Sequence, residues 1–268
     1  IAVTGTLTVV VMSAGVNLQP PFQPGGTASG KKRYLAWNAT GVVTTREEEH
    51  FNSIEISFTD STKHRAVKMR DHFGYTLAAI GSSPMNLAPG QSETEAKTRP
   101  STVHYKALDS WSSNSEWTIH LPEDEVFCDA KWQQEAQCVA VGRLWVAVAT
   151  NTQLVRVFSH SGMQKFLFSL DGPVVSMVGS AALLSVVYHK GMPTPAGNQN
   201  LGVLVLQMES QKRLHEGPLP ISPGSTLSWL SWTDSSVRFR VILVSCLMDS
   251  HGVIRGLMRT WANQWAPL

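Results

Sequence analysis

Four groupings of residues in this chain have the types, and part of the spacing, that chemistry requires. Gly25-Gly26-Thr27-Ala28-Ser29-Gly30-Lys31 fits the first seven positions of the loop that cradles nucleotide phosphates. The eighth position is Lys32, where a Ser or Thr hydroxyl should meet magnesium. Strand-like Tyr34-Leu35-Ala36-Trp37 then stands where the phosphate-binding helix should begin. Asp249-Ser250-His251 sets acid, nucleophile and base side by side, yet a triad works only when the three converge in space, and neighbours in a turn point apart. His120, Cys128 and Cys138 are metal-ligand types without the HxxxH or CxxC spacing of a site. Lys31-Lys32-Arg33 and Lys63-His64-Arg65 could neutralise nucleic-acid phosphates.

Each grouping has a plainer reading. Linker composition explains the glycine-rich match, a hairpin turn explains Asp249 to His251, and unpaired buried cysteines behave as small hydrophobes. The basic clusters, like the acidic run Glu47-Glu48-Glu49, read as solvated loops. The sequence therefore predicts no catalytic residue, no cofactor, no metal site and no small-molecule substrate. Direct binding of DNA or chromatin by the basic clusters is kept as the alternative function.

Bulk properties agree. Across 268 residues the formal net charge is only +2, too weak a field to argue for nucleic acid by itself. Three cysteines form no framework, which points to a reducing compartment. The apolar run Leu7 to Met12 is too short to span a bilayer, so no membrane partner is expected.

The elements that must carry these residues are short and β-rich. Leu35-Ala36-Trp37, Ile54 to Phe58, Trp117 to Leu121, Leu144 to Ala149, Leu154 to Phe158, Lys165 to Phe168, Val174 to Val178 and Leu183 to Tyr188 are enriched in β-branched and aromatic residues. No long segment has helical periodicity with caps. A repeat is visible in one class of strand, at His104 to Leu108, Leu154 to Phe158, Leu201 to Leu206 and Val253 to Leu257. The starts lie about 50 residues apart, the period of a four-stranded propeller blade. Gly41-Val42-Val43 is taken as an earlier member, one longer interval upstream because of a polar loop from Ser82 to Arg99. Asp171-Gly172-Pro173 and Glu216-Gly217-Pro218 are read as the ends of successive units.

The predicted fold is all-β: a β-propeller of four-stranded blades, six expected and about five present, with a β-sandwich as the competing architecture. Residues 17 to 33, rich in Pro, Gly and Ser, read as a linker. The domain expectation is a linker or disordered segment over 1–33 and a partial propeller over 34–268. Of nine tryptophans, Trp37, Trp145 and Trp229 are expected to fill space between blades, and Trp111 and Trp117 to face solvent or a partner.

Several stretches also carry a resemblance. They are Pro21-Phe22-Gln23-Pro24-Gly25, Ile54 to Asp60, Trp111 to Pro122, Phe168-Ser169-Leu170-Asp171-Gly172-Pro173 through Met177, Val187 to Gly191, Asp249 to Arg255 and Trp265-Ala266-Pro267-Leu268. In this order they are similar to the central domain of the WD-repeat and HMG-box DNA-binding protein family. These are replisome adaptors whose yeast counterpart is the chromosome transmission fidelity trimer. The resemblance covers residues 21 to 268, while residues 1 to 20 and 237 to 247 depart from the pattern. It implies a nuclear, non-catalytic scaffold of DNA replication whose six-bladed propeller forms a homotrimer. It further implies coupling of the GINS-containing replicative helicase to DNA polymerase α. The peptide-capturing helical bundle, an upstream WD-repeat propeller and an HMG box would lie outside these residues. The resemblance assigns no catalytic residue and no trimer-interface position, so the binding residues are unknown at this stage.

Overall fold

Alternating side chains give every strand two faces, and this fold buries both faces wherever a sheet has a neighbour on each side. The computed structural model describes residues 17–27, 30–62, 64–81, 84–88, 101–107, 116–124, 132–233, 240–248, 254–260 and 265–267. Among them there is no helix.

The first sheet joins β1 (Lys32–Trp37), β2 (Gly41–Glu47), β3 (Asn52–Phe58) and β4 (Val67–Asp71). The second joins β5 (Leu77–Ile80), β6 (Pro84–Ala88), β7 (Thr102–Ala107) and β8 (Glu116–His120). A two-stranded ribbon, β9 (Glu123–Asp124) with β10 (Trp132–Gln133), leads to the third sheet. That sheet joins β11 (Ala136–Val141), β12 (Val146–Thr150), β13 (Leu154–Phe158) and β14 (Gln164–Ser169). The fourth joins β15 (Val174–Ser180), β16 (Leu183–His189), β17 (Leu201–Gln207) and β18 (Lys212–Leu219). The fifth joins β19 (Thr226–Thr233), β20 (Arg240–Met248), β21 (Ile254–Thr260) and β22 (Trp265–Pro267).

Each sheet is an antiparallel meander, and the first strands β1, β5, β11, β15 and β19 lie side by side in that order. The arrangement is radial. Four apolar clusters fill the four seams between consecutive sheets. Strand alternation decides which seam each residue enters. On β12, Val146 and Val148 face the second sheet while Ala147 and Ala149 face the fourth. On β17, Leu204 and Leu206 face the third sheet, and Leu201, Val203 and Val205 face the fifth. A sheet between two neighbours thus needs apolar residues at odd and even positions alike, which is why β12 is buried along its whole length. Outer strands reach water, and β18 is exposed over most of its residues. Between the fifth sheet and the first, no apolar cluster forms among the described residues. The two sheets meet there through Trp37 and Trp229, edge to face with ring centroids 6.0 Å apart.

The repeat read from the sequence marks the third strand of each sheet, with one misplacement. Gly41-Val42-Val43 begins β2, and the true first member is β3. Third strands then start at Asn52, Thr102, Leu154, Leu201 and Ile254, evenly about 50 residues apart. The longer interval disappears, and part of the presumed polar loop, Pro84–Ala88, is strand β6. Glu216-Gly217-Pro218 closes the fourth unit from within its last strand, β18, which ends at Leu219 and is an edge strand where Pro218 need not donate to a ladder. The turn to the next unit follows at Ser222-Pro223-Gly224-Ser225, closed by Ser225 N donating to the Ser222 carbonyl. Trp145 is buried in the seam between the third and fourth sheets, whereas Trp37, 57% exposed, meets Trp229 between the fifth sheet and the first.

Candidate functional site

The axis of a propeller is where ligands and catalytic groups usually converge, so its lining decides what chemistry is available. Here the innermost strands leave a cavity of about 40 Å³, room for one or two waters. Trp37, Asn38, Ile80, Val141, Gly179 and Ser231 are among its walls, and none of the lining residues is ionisable.

The axis is narrow because residues 17 to 26 cross it. The side-chain amide of Gln19 donates to the Leu227 carbonyl at 2.6 Å and accepts from the Leu227 N–H at 2.9 Å. The Gln23 amide does the same with Val139, at 2.9 and 3.1 Å. Between them Phe22 N donates to the Val175 carbonyl at 2.9 Å. Gly26 N donates to the Gln23 carbonyl at 2.8 Å, closing a turn with Pro24 second and Gly25 third at φ 77°. A Cβ at Gly25 would meet the Trp37 backbone nitrogen at 2.5 Å, so only glycine lets the chain bend into β1 here. Composition reads as a linker here, but these bonds make the stretch part of the propeller.

The other residues singled out by type are scattered. Gly25 and Gly26 form that turn, and strand β1 follows at Lys32, so no helix N-terminus faces Lys31. Asp249-Ser250-His251, Cys128, Lys63 and Trp111 lie outside the described residues. His120 bonds the Thr102 hydroxyl through Nδ1 at 3.1 Å. Cys138 is fully buried between sheets, its thiol pushed up to about 12 by desolvation, with the Phe22 carbonyl 3.6 Å away. No group of metal-ligating side chains gathers among the described residues. In the first basic cluster Arg33 is turned inward, donating to the Thr76 carbonyl at 2.7 Å and half-buried beside β5. In the second, the His64 ring packs on Phe58 at 4.9 Å. Trp117 is not solvent-facing: its indole N–H donates to the His160 carbonyl at 3.0 Å, and Tyr105 stacks on it at 5.2 Å.

His104 is the histidine whose surroundings oppose its protonation. Burial lowers its pKa even though Glu116 lies 3.2 Å from Nε2 and Thr118 bonds Nδ1 at 3.0 Å. The unfolded chain therefore takes up this proton first as pH falls, so the His104 contribution to stability is level above about 6.5 and declines below it. Urea midpoints measured from pH 8 downward should show that decline in the wild-type chain, and His104→Gln should flatten it.

What the chain does offer is surface. The side of the first sheet away from the second carries Trp37, Tyr34, Thr44, Glu55 and Lys68, and Trp37 and Tyr34 are well exposed. Around the rims of the third and fourth sheets, Met163, Leu167 and Leu214 are exposed apolar side chains. A perimeter groove of about 200 Å³ between Phe166, Phe168, Leu206, Met208 and Arg213 opens beside them.

Five four-stranded sheets turned about a filled axis define the chain as a β-propeller. The pattern of the family described as "Minichromosome loss protein, Mcl1, middle region" matches residues 20–268, a span that includes residues 237 to 247. WD repeat and HMG-box DNA-binding protein 1 of Xenopus laevis is 35% identical over 253 residues, which cover 93% of this chain and 21% of that protein. The Homo sapiens protein of the same name is 34% identical, covering 93% and 20%. DNA polymerase alpha-binding protein of Saccharomyces cerevisiae is 28% identical over 224 residues, covering 82% and 22%. The chain belongs to the Mcl1 middle-region family. It spans about a fifth of the length of these relatives.

Proposed function

We propose that this propeller is a non-catalytic scaffold of the nuclear DNA-replication machinery. It self-associates into a trimer and, within the longer protein, links the GINS-containing helicase to DNA polymerase α. The observation that carries the reading is the family match over residues 20–268, with one relative named for binding DNA polymerase alpha. The site chemistry is compatible with it: the axis holds the chain's own segment, and its cavity, lined by residues such as Gln23, Trp37 and Ile80, leaves the outer surfaces for partners. Exposed Trp37, Met163 and Leu167 are the kind of side chain that interfaces bury.

Direct binding of DNA by Lys31-Lys32-Arg33 is the weaker reading, because Arg33 is committed to Thr76. Purified full-length protein should give a trimer mass by light scattering and should retain purified GINS complex and DNA polymerase α. A mass that stays monomeric at every concentration, with neither complex retained, contradicts the proposal. Retention on DNA that vanishes steeply with added salt would instead favour the direct-binding reading.

A further inference from the structure

Innermost propeller strands have one ladder edge with no neighbouring strand, because beyond them lies only the axis. Their outward-facing N–H and C=O groups need water or some other partner. In the third, fourth and fifth sheets that partner is the segment Asn17 to Gly26. Its two glutamines stand four residues apart, and each presents one donor and one acceptor to a single backbone residue, as a neighbouring strand would. Phe22 contributes a main-chain bond to the fourth sheet between them.

The rest of the segment fits a dry axis. Pro20, Pro21 and Pro24 have no N–H to leave unpaired, and they hold the backbone extended. Gln19 is anchored at its main chain too. Its N–H donates to the Gln199 side chain at 3.2 Å, and its carbonyl bonds Nε2 of buried His189 at 2.9 Å. Gln199 in turn donates to the Asn17 carbonyl at 3.1 Å. At the other end, Thr27 and Tyr34 exchange two hydrogen bonds of 2.9 Å, delivering the segment to β1. The inner strands of the first, third, fourth and fifth sheets also carry a one-residue bulge, at Leu35, Gln137, Val175 and Ser228. Each disturbs the ladder beside this segment.

We propose that the axial edges of β11, β15 and β19 form a peptide-binding site that reads two glutamines four residues apart, and that the chain's own segment from Asn17 to Gly26 occupies it. The segment clasps three sheets to the first across a ring that has no apolar core at its fifth seam among the described residues. Glutamine is specified over glutamate because a carboxylate lacks the donor and would set a buried charge against a carbonyl. Asparagine falls one methylene short.

The test uses the full chain with Gln19→Met and Gln23→Met, which keep side-chain length and apolar packing while removing the amide. Amide hydrogen exchange should rise about tenfold at Val139 in Q23M and at Leu227 in Q19M, each leaving the other site protected. A synthetic peptide of residues 17–27, added at millimolar concentration to the double variant to compete with the tethered segment, should restore protection at both amides. The same peptide with both glutamines replaced by methionine should not. Unchanged exchange at Val139 and Leu227 overturns the proposal. So does a uniform loss of protection along the chain that is the same in both single variants, and so does equal rescue by the methionine peptide.

Discussion

Trp145→Ala is expected to destabilise the fold by about 3–5 kcal/mol, the range for deleting a fully buried aromatic side chain. The reason is a slot built for one ring. Gly142 and Gly179 flank the indole so closely that a Cβ on either would run into it, and the indole N–H donates to the Ala181 carbonyl at 3.0 Å. Because no side chain at either glycine can swing into the vacated space, the cavity stays open. The Ala181 carbonyl keeps a second bond from Arg143 N at 2.9 Å, so the loss is one of packing more than of an orphaned acceptor. Urea unfolding of W145A should show the full decrease, and a loss under about 1 kcal/mol would mean that the slot collapses.

The second large effect is expected from Gly172→Ala. A Cβ there would press on the carbonyl of His189, which is main chain and cannot rotate away. His189 N donates to the Pro173 carbonyl at 2.8 Å at this same crossing, and its ring holds Gln19. To admit one methyl group, the start of β15 must part from the end of β16, at a cost of about 2–3 kcal/mol. Gly217→Ala is the internal control. The nearest atom to its Cβ would be the His215 ring at 3.4 Å, an ordinary contact, so its effect should stay within about 0.5 kcal/mol. Equal losses in the two variants, compared by thermal or urea unfolding, would contradict the crossing geometry.

These two glycines also show how far the sequence could be read. Asp171-Gly172-Pro173 and Glu216-Gly217-Pro218 look alike as residues, yet one is a unit boundary pinned against a neighbouring strand and the other lies in an edge strand. Local composition carries turn propensity but not which backbone crosses nearby. Most strands were legible, since Ile54 to Phe58, Leu154 to Phe158 and Leu183 to Tyr188 combine β-branched content with turn signals at both ends. The first unit is misaligned in that reading because Gly41-Val42-Val43 resembles a strand start as well as Asn52-Ser53-Ile54 does. The role of residues 17 to 27 was not legible. Their bonds reach partners 116 and 208 residues away, and a Pro- and Gly-rich segment looks the same whether or not a fold surrounds it. Arg33 misled in the same way, since a basic triplet gives no sign that one member is aimed at Thr76.

The radial stacking of sheets brings the start of the chain's first sheet to the start of its last. Trp37 and Trp229 can therefore be replaced by cysteines, with Cys128 and Cys246 changed to serine, and treated with a short bifunctional thiol reagent. A single intramolecular cross-link joining the two peptides, found by mass spectrometry in the folded chain and lost in urea, is the predicted result, in line with rings 6.0 Å apart. Cysteines that react singly and never join in the folded chain would contradict the arrangement.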